Sequence, residues 1–242
     1  MIGNTSESWR IGDVVRKVYR VDNDKDITNA NMEAVKNEAN VYLILGEHRL
    51  VAKWLSIGPE KSYVDLEFYS QGTLRDYISS NRSNISDQQL KTWAYQLVES
   101  VAYIRSKGVR HADLRLDQWL LDENLLPHLT DFNGSGFDSR PELGLDSTPA
   151  TSIECASHCL PRDLEKDSTV ESDLFALGSP LYELMTNSRP YDGEEDGVIE
   201  SNFAKQIFPP VEHLLMGDVI MACWRGQYTS AEQILDHLRP KP

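Results

Sequence analysis

Cysteine is scarce in this sequence, and positive charge is in deficit. The three cysteines, Cys155, Cys159 and Cys223, are an odd number and too few to staple a fold with disulfides. Cys155, His158 and Cys159 stand close together but supply only three ligands, short of a closed zinc site, so the thiols read as buried or partly buried side chains. Lys and Arg number 24 against 38 Asp and Glu, a formal net charge of -14 with no basic cluster, which argues against nucleic acid as a partner. No apolar run approaches the roughly 20 residues needed to span a bilayer, so no membrane role is expected. The opening MIGNTSESWR lacks the apolar core of a signal peptide, which implies a cytoplasmic location unless a targeting segment has been removed.

What is present is ordinary for a globular protein: 242 residues, 40% hydrophobic and 26% charged, enough for one large domain or two packed lobes. The first third reads as short strands around one helix. DVVRKVYRV is a β-branched run after a turn at Ile11-Gly12-Asp13, and NMEAVKNEANVYLILG has helical apolar spacing ending at Gly46. LVAKWLSI and SYVDLEFY read as strands joined by a turn at Gly58-Pro59. From Thr73 onward helices dominate, beginning with TLRDYISSN behind a capping Thr73 and a longer one from Ser86 to Gly108. WLLD and PHLTDF read as a strand pair, Gly134 to about Thr151 as a loop, and four further helices are expected in SDLFALGSPLYELMT, VIESNFAKQ, VEHLLMGDVIMACW and SAEQILDHL. Pro180, inside the first of these, predicts a kink at a cost on the order of 3 kcal/mol.

In this order the residues resemble the protein kinase family across almost the whole chain. HADLRLDQ is similar to the family's catalytic loop H-R-D-L-x-x-x-N, matching His111, Asp113 and Leu114 while placing Ala112 on the Arg and Gln118 on the Asn. Asp131-Phe132-Asn133 resembles D-F-G, 18 positions after Asp113. VVRK makes Lys17 the candidate phosphate-binding lysine, with Glu38, or less directly Glu33, as its partner on the following helix. VDLEFYSQGTLRDYI resembles the adenine-holding strand and hinge, with Leu66 as gatekeeper and Glu67, Phe68 and Tyr69 as hinge. SDLFALGSPLYELM and ACWRGQYTSAEQILDHL resemble the family's buried central helix and its C-terminal helices, and the loop motifs are similar in style to kinase-like proteins of fungi.

The resemblance implies an α+β, bilobal protein-kinase-like fold, a sheet-rich N-lobe and hinge at 1–69 and a helical C-lobe at 70–242. It further implies ATP and Mg²⁺, or Mn²⁺, as cofactors and a protein substrate or binding partner. Asp113, Lys17, Glu38 and Arg115 form the implied catalytic set. Gly3, Lys17, Leu66, Glu67, Phe68, Tyr69 and Leu120 would contact nucleotide, and Asp131 and Gln118 the metal.

Departures from the pattern bear on whether transfer survives. The phosphate-covering glycine loop is reduced to IGNTSES, with Gly3 its single glycine. Gln118 is one methylene longer than Asn, and Asn133 replaces a glycine whose left-handed geometry it tolerates better than most residues. Ala112 removes an arginine that would read a phosphate, and CLPRD puts Arg162 where A-P-E has its acid. The expectation is weak transfer to protein Ser or Thr, with an inactive binding module as the alternative. A small-molecule phosphotransferase stands further off.

Overall fold

The computed structural model describes residues 5–152, 154–163 and 167–239. Strands β1 (Ser6–Ile11) and β2 (Val14–Tyr19) form a hairpin whose two-residue turn is possible because Gly12 takes φ +63°. Strands β3 (Trp54–Ile57) and β4 (Tyr63–Glu67) complete an antiparallel sheet in the order β1-β2-β4-β3. Its register sets Val15 opposite Leu66 and Lys17 opposite Val64, with Ser8 facing Lys17 from the other side.

One helix, α1 (Lys25–Leu45), covers this sheet. It begins earlier than its apolar period predicts. Asp24 caps it by accepting from the Asp26 amide at 2.8 Å, and its first turns are polar because they face water. Further along, Val35, Glu38, Ala39 and Tyr42 share the buried face, a spacing of three and four residues that leaves one charged side chain among apolar ones.

The second lobe is helical. Helix α2 (Leu74–Asn81) is capped by Thr73, and α3 (Asp87–Ser106) is capped by Ser86, whose hydroxyl accepts from the Gln89 amide at 3.2 Å. Leu90, Trp93, Leu97, Val101 and Ile104 line the buried face of α3, each fully buried aliphatic contributing about 1.5–3 kcal/mol relative to exposure. Two short antiparallel pairs follow: β5 (Val109–Arg110) with β8 (Gly136–Phe137), and β6 (Trp119–Leu121) with β7 (Pro127–Leu129). The loop expected from Gly134 therefore contains a strand.

Helices α4 (Val170–Thr186), α5 (Asp196–Ala204), α6 (Gly217–Trp224) and α7 (Ala231–Leu238) close the lobe, giving seven α-helices among the described residues. The helix expected over VEHLLMGDVIMACW forms only from Gly217; the residues before it run as turns closed by the Leu214 amide on the Val211 carbonyl at 2.9 Å and the Gly217 amide on the Leu214 carbonyl at 3.1 Å, and Gly217 admits the close pass of Val211, whose carbonyl oxygen would lie 1.9 Å from a Cβ there. Helix α4, where a kink is expected at Pro180, continues through that residue as one element. It is buried along nearly its whole length, and packing overrides local propensity there. Gly178 lets α6 approach, since a Cβ would sit 2.9 Å from the Trp224 ring. The result is a bilobal α+β fold, as the resemblance implied, with the sheet lobe joined to the helical lobe between β4 and α2.

Candidate functional site

Lys17 is the hub where the two lobes meet. It sits on β2, only 8% exposed, where strand register points it at α1. Its Nζ lies 2.8 Å from Glu38 Oε2 and 2.5 Å from Asp131 Oδ1. Of the two acids considered on α1, Glu38 reaches Lys17, whereas Glu33 pairs with Lys36 in solvent at 2.7 Å.

Burial works against the Lys17 charge, but the Asp131 and Glu38 carboxylates outweigh it and hold the ammonium well above its usual range. Burial likewise opposes ionisation of Asp131, and Lys17 more than offsets this, so Asp131 titrates below the usual carboxylate range. Glu38 is fully buried, and burial wins there: its carboxyl is pushed up despite Lys17. The second oxygen of Glu38 accepts from the Phe132 amide at 3.3 Å, which ties α1 to the segment after Asp131. Asn37, one residue earlier, reinforces that tie through its amide, which donates to the Ser135 carbonyl at 2.8 Å and the Asn133 carbonyl at 3.2 Å.

The loop from His111 approaches from the helical lobe. Ala112 has φ 64° and Asp131 φ 67°, both left-handed, a conformation that costs a non-glycine residue on the order of 1–2 kcal/mol. The compensation for Ala112 comes from Asp173 on α4, whose buried carboxylate accepts from the amides of His111 and Ala112, both at 2.9 Å. Sequence reasoning missed Asp173, although an acid within the apolar run of α4 was a readable signal. His111 is buried as well: Nδ1 accepts from the Asp113 amide at 3.3 Å, so Nε2 donates to the Thr130 carbonyl at 3.0 Å. Phe132 packs between the His111 ring, centroids 5.2 Å apart, and Tyr42, at 5.3 Å.

Asp113 projects from this loop and is held on both oxygens. Arg115 makes a two-pronged contact at 2.9 and 3.0 Å, and the Gln118 amide nitrogen donates to Oδ2 at 2.9 Å. Gln118 is thus 4% exposed and turned so that its amide oxygen is the group left to accept another partner. An Asp131 carboxylate and a Gln118 amide oxygen are hard donors that fit a hard divalent cation.

The nucleotide-contacting candidates are distributed unevenly. Leu66 is buried at the end of β4, and Leu120 is half-buried on β6, bridged to Thr73. Glu67 is exposed, while Phe68 lies under the Arg10 guanidinium, 3.5 Å from carbon to ring centroid, and gives its amide to the Asp13 carbonyl at 2.9 Å. Tyr69 does not present its side chain as a hinge contact. Its ring packs on His128 at 4.5 Å and its hydroxyl accepts from the Lys53 amide at 2.9 Å. Gly3 lies outside the described residues. The following Ser6–Ser8, read as part of a degenerate phosphate loop, belongs to β1 and is paired with β2.

Two more expectations change. Asn133 is not in the left-handed region; Asp131 is, and the Asn133 amide donates to the Thr5 hydroxyl at 2.9 Å. Arg162, at the position of the family's acid, pairs with the buried Glu154 at 2.6 Å and donates to the Ser168 hydroxyl at 2.9 Å, so the segment keeps a buried ion pair with its signs arranged locally. No group of three or more His, Cys, Asp or Glu among the described residues is placed to hold a metal ion by itself.

A lysine thus bridges a helix carboxylate and a loop carboxylate across the two lobes, with a third carboxylate, Asp113, on a neighbouring loop. The chain belongs to the protein kinase family: the model of the protein kinase domain matches residues 6–238. It is 26% identical over 223 residues to maternal embryonic leucine zipper kinase of Xenopus laevis, covering 90% of this chain and 34% of that one. To CBL-interacting serine/threonine-protein kinase 8 of Arabidopsis thaliana it is 26% identical over 201 residues, covering 81% and 44%. To NUAK family SNF1-like kinase 1 of Homo sapiens it is 27% identical over 181 residues, covering 74% and 26%. The chain spans about a third of the length of the Xenopus laevis relative.

Proposed function

We propose that this chain binds ATP with a divalent cation in the cleft and transfers the γ-phosphoryl group to a Ser or Thr hydroxyl of a protein, at low turnover. The observation that carries the reading is the double contact of Lys17 with Glu38 and Asp131, which gathers the charge-neutralising groups at one point. Among the described residues, those up to 69 and those from 70 onward form the two walls of that cleft. Glu38 fixes Lys17 for the α- and β-phosphates, and Leu66 and Leu120 offer apolar contact to the base, with the backbone of Glu67 to Tyr69 beside it. Asp131 and the Gln118 amide oxygen hold the cation, which when bound neutralises phosphate charge.

Asp113 positions the acceptor. The hydroxyl oxygen bonds to the γ-phosphorus as the bond to the β-phosphate oxygen breaks, and the hydroxyl proton passes to Asp113. Arg115 lies against the Asp113 carboxylate, where its charge also faces the transferring group. Turnover is low because Gln118 shares its amide between Asp113 and the cation, and its extra methylene misplaces the oxygen in a site that tolerates little error.

That same sharing supports the second reading, a binding module on a kinase scaffold. The two separate in one experiment. ATP at 100 times its dissociation constant, with Mg²⁺ or Mn²⁺, adds about 2.7 kcal/mol and raises the melting temperature. Asp113→Asn keeps that rise and lowers phosphate transfer about 10²-fold or more. Absence of any rise with either metal overturns nucleotide binding, and equal transfer by parent and Asp113→Asn leaves the binding module.

A further inference from the structure

Cys155, which the cleft chemistry does not use, is not an isolated thiol. Its Sγ lies 3.3 Å from His158 Nδ1, and His158 Nε2 lies 2.9 Å from Glu183 Oε1. His158 and Glu183 are completely buried, and the other Glu183 oxygen is paired with Arg75 at 2.5 Å. Ser157 places its hydroxyl 2.9 Å from the same Nδ1. This is a thiol, an imidazole and a carboxylate in series, with the thiol half-buried at the open end. Such a series activates a cysteine nucleophile.

We propose that Cys155 is a thiolate site for modification by hydroperoxides and other soft electrophiles, activated by His158 and Glu183. The carboxylate stabilises the imidazolium, and the imidazolium stabilises the thiolate. In the oxidation step a sulfur lone pair attacks the terminal oxygen of the hydroperoxide. An S–O bond forms, the O–O bond breaks, and the alkoxide leaves with the proton of His158 Nδ1. Sulfur is oxidised by two electrons to the sulfenic acid, and the peroxide is reduced to the alcohol.

The charges around the pair agree with this geometry. Burial opposes the charge on His158, but Cys155 and Glu183 outweigh it and push the ring up to about 9. Burial also opposes thiolate formation at Cys155; His158 and Arg115 overcome it, with Asp113 acting the other way, and the thiol falls below its ordinary range. Cys159 provides an internal contrast, since burial and Glu154 push it up to about 11. Cys223 is 1% exposed in the helical core. Because the Asp113 and Arg115 charges act on the Cys155 thiol, an adduct that removes the thiolate charge changes the field at the acceptor-positioning carboxylate. That consequence rests on the role given to Asp113 above, whereas the reactivity does not.

The test is site-resolved labelling of the whole chain with limiting iodoacetamide, read by peptide mass spectrometry between pH 6 and 9. A parallel arm uses hydrogen peroxide followed by dimedone. At pH 7 a thiol titrating near 11 is only about 10⁻⁴ ionised, so Cys155 is expected to label at least about tenfold faster than Cys159 and to level off at lower pH. Dimedone is expected on Cys155 before either other cysteine. His158→Gln should lower the Cys155 rate about tenfold; in the parent, unfolding in urea should erase its advantage over Cys159, a comparison that holds even where the variant folds poorly. Equal native rates at Cys155 and Cys159, or no dimedone adduct at Cys155, overturn the proposal.

Discussion

Replacing Lys17 by Met removes the positive charge from between two carboxylates that differ in burial. The Asp131 side chain is 34% exposed and can be solvated, but the Glu38 side chain is fully buried and keeps only the Phe132 amide as donor. Burial already pushes Glu38 above its ordinary value of 4.5 with Lys17 present; without it the acid folds in protonated form. Holding a carboxyl neutral at pH 7, some 2.5 units above its unfolded pKa, costs about 3.4 kcal/mol at about 1.36 kcal/mol per unit. At pH 5.5 the same cost falls to about 1.4 kcal/mol.

A group whose folded pKa is raised contributes most at low pH and loses that contribution as pH climbs toward the folded value, so the variant's deficit grows from pH 5.5 to pH 7. The double replacement Lys17→Met/Glu38→Gln removes the titrating group and should recover most of the loss and abolish its pH dependence. Urea unfolding of the four proteins of the cycle at both pH values, compared through midpoints at a common slope, reads these differences. A Lys17→Met deficit identical at pH 5.5 and pH 7, or a double variant no more stable than the single one, refutes the placement of Glu38 as a buried acid dependent on Lys17.

Asp173→Ala leaves the buried amides of His111 and Ala112 without an acceptor, and should lower stability by about 2–4 kcal/mol in urea and expose the His111 loop to faster amide exchange. Arg162→Met strands Glu154, whose side chain is 1% exposed; a loss of about 3 kcal/mol is expected at pH 7. Burial raises the Glu154 pKa, so that loss should shrink on acidification. Gln118→Asn shortens the amide that now serves Asp113, and a phosphate-transfer assay with Mg²⁺ and Mn²⁺ should show higher turnover than the parent. With Ala112 in place of an arginine, phosphatase treatment should leave transfer unchanged.

Ordered motifs made the family legible. Each of Lys17, Asp113 and Asp131 alone is an ordinary charge, but their order and spacing along a chain whose first third alternates as strands and whose remainder repeats as helices admit few folds. Helix caps at Thr73 and Ser86 were readable for the same local reason: a short hydroxyl side chain serves its own next turn.

Contacts between distant segments were not readable from local pattern, and the Lys17–Glu38 pair was expected only through the family resemblance. Which acid on α1 meets Lys17 depends on how α1 lies over the sheet, and Glu33 and Glu38 differ only by the helical rotation between them. The Tyr69 side chain is committed to His128 and the Lys53 amide, a pairing its place in the sequence does not show. Asp173 meets the His111 loop across some sixty residues of chain, and Cys155 meets Glu183 only through His158. The sequence by itself determined the backbone propensities and the order of the charged groups, because those are set by each residue and its near neighbours. Tertiary structure alone decided which buried charges became partners, because a charge withdrawn from water takes whatever opposite charge or donor the packing brings within about 3 Å.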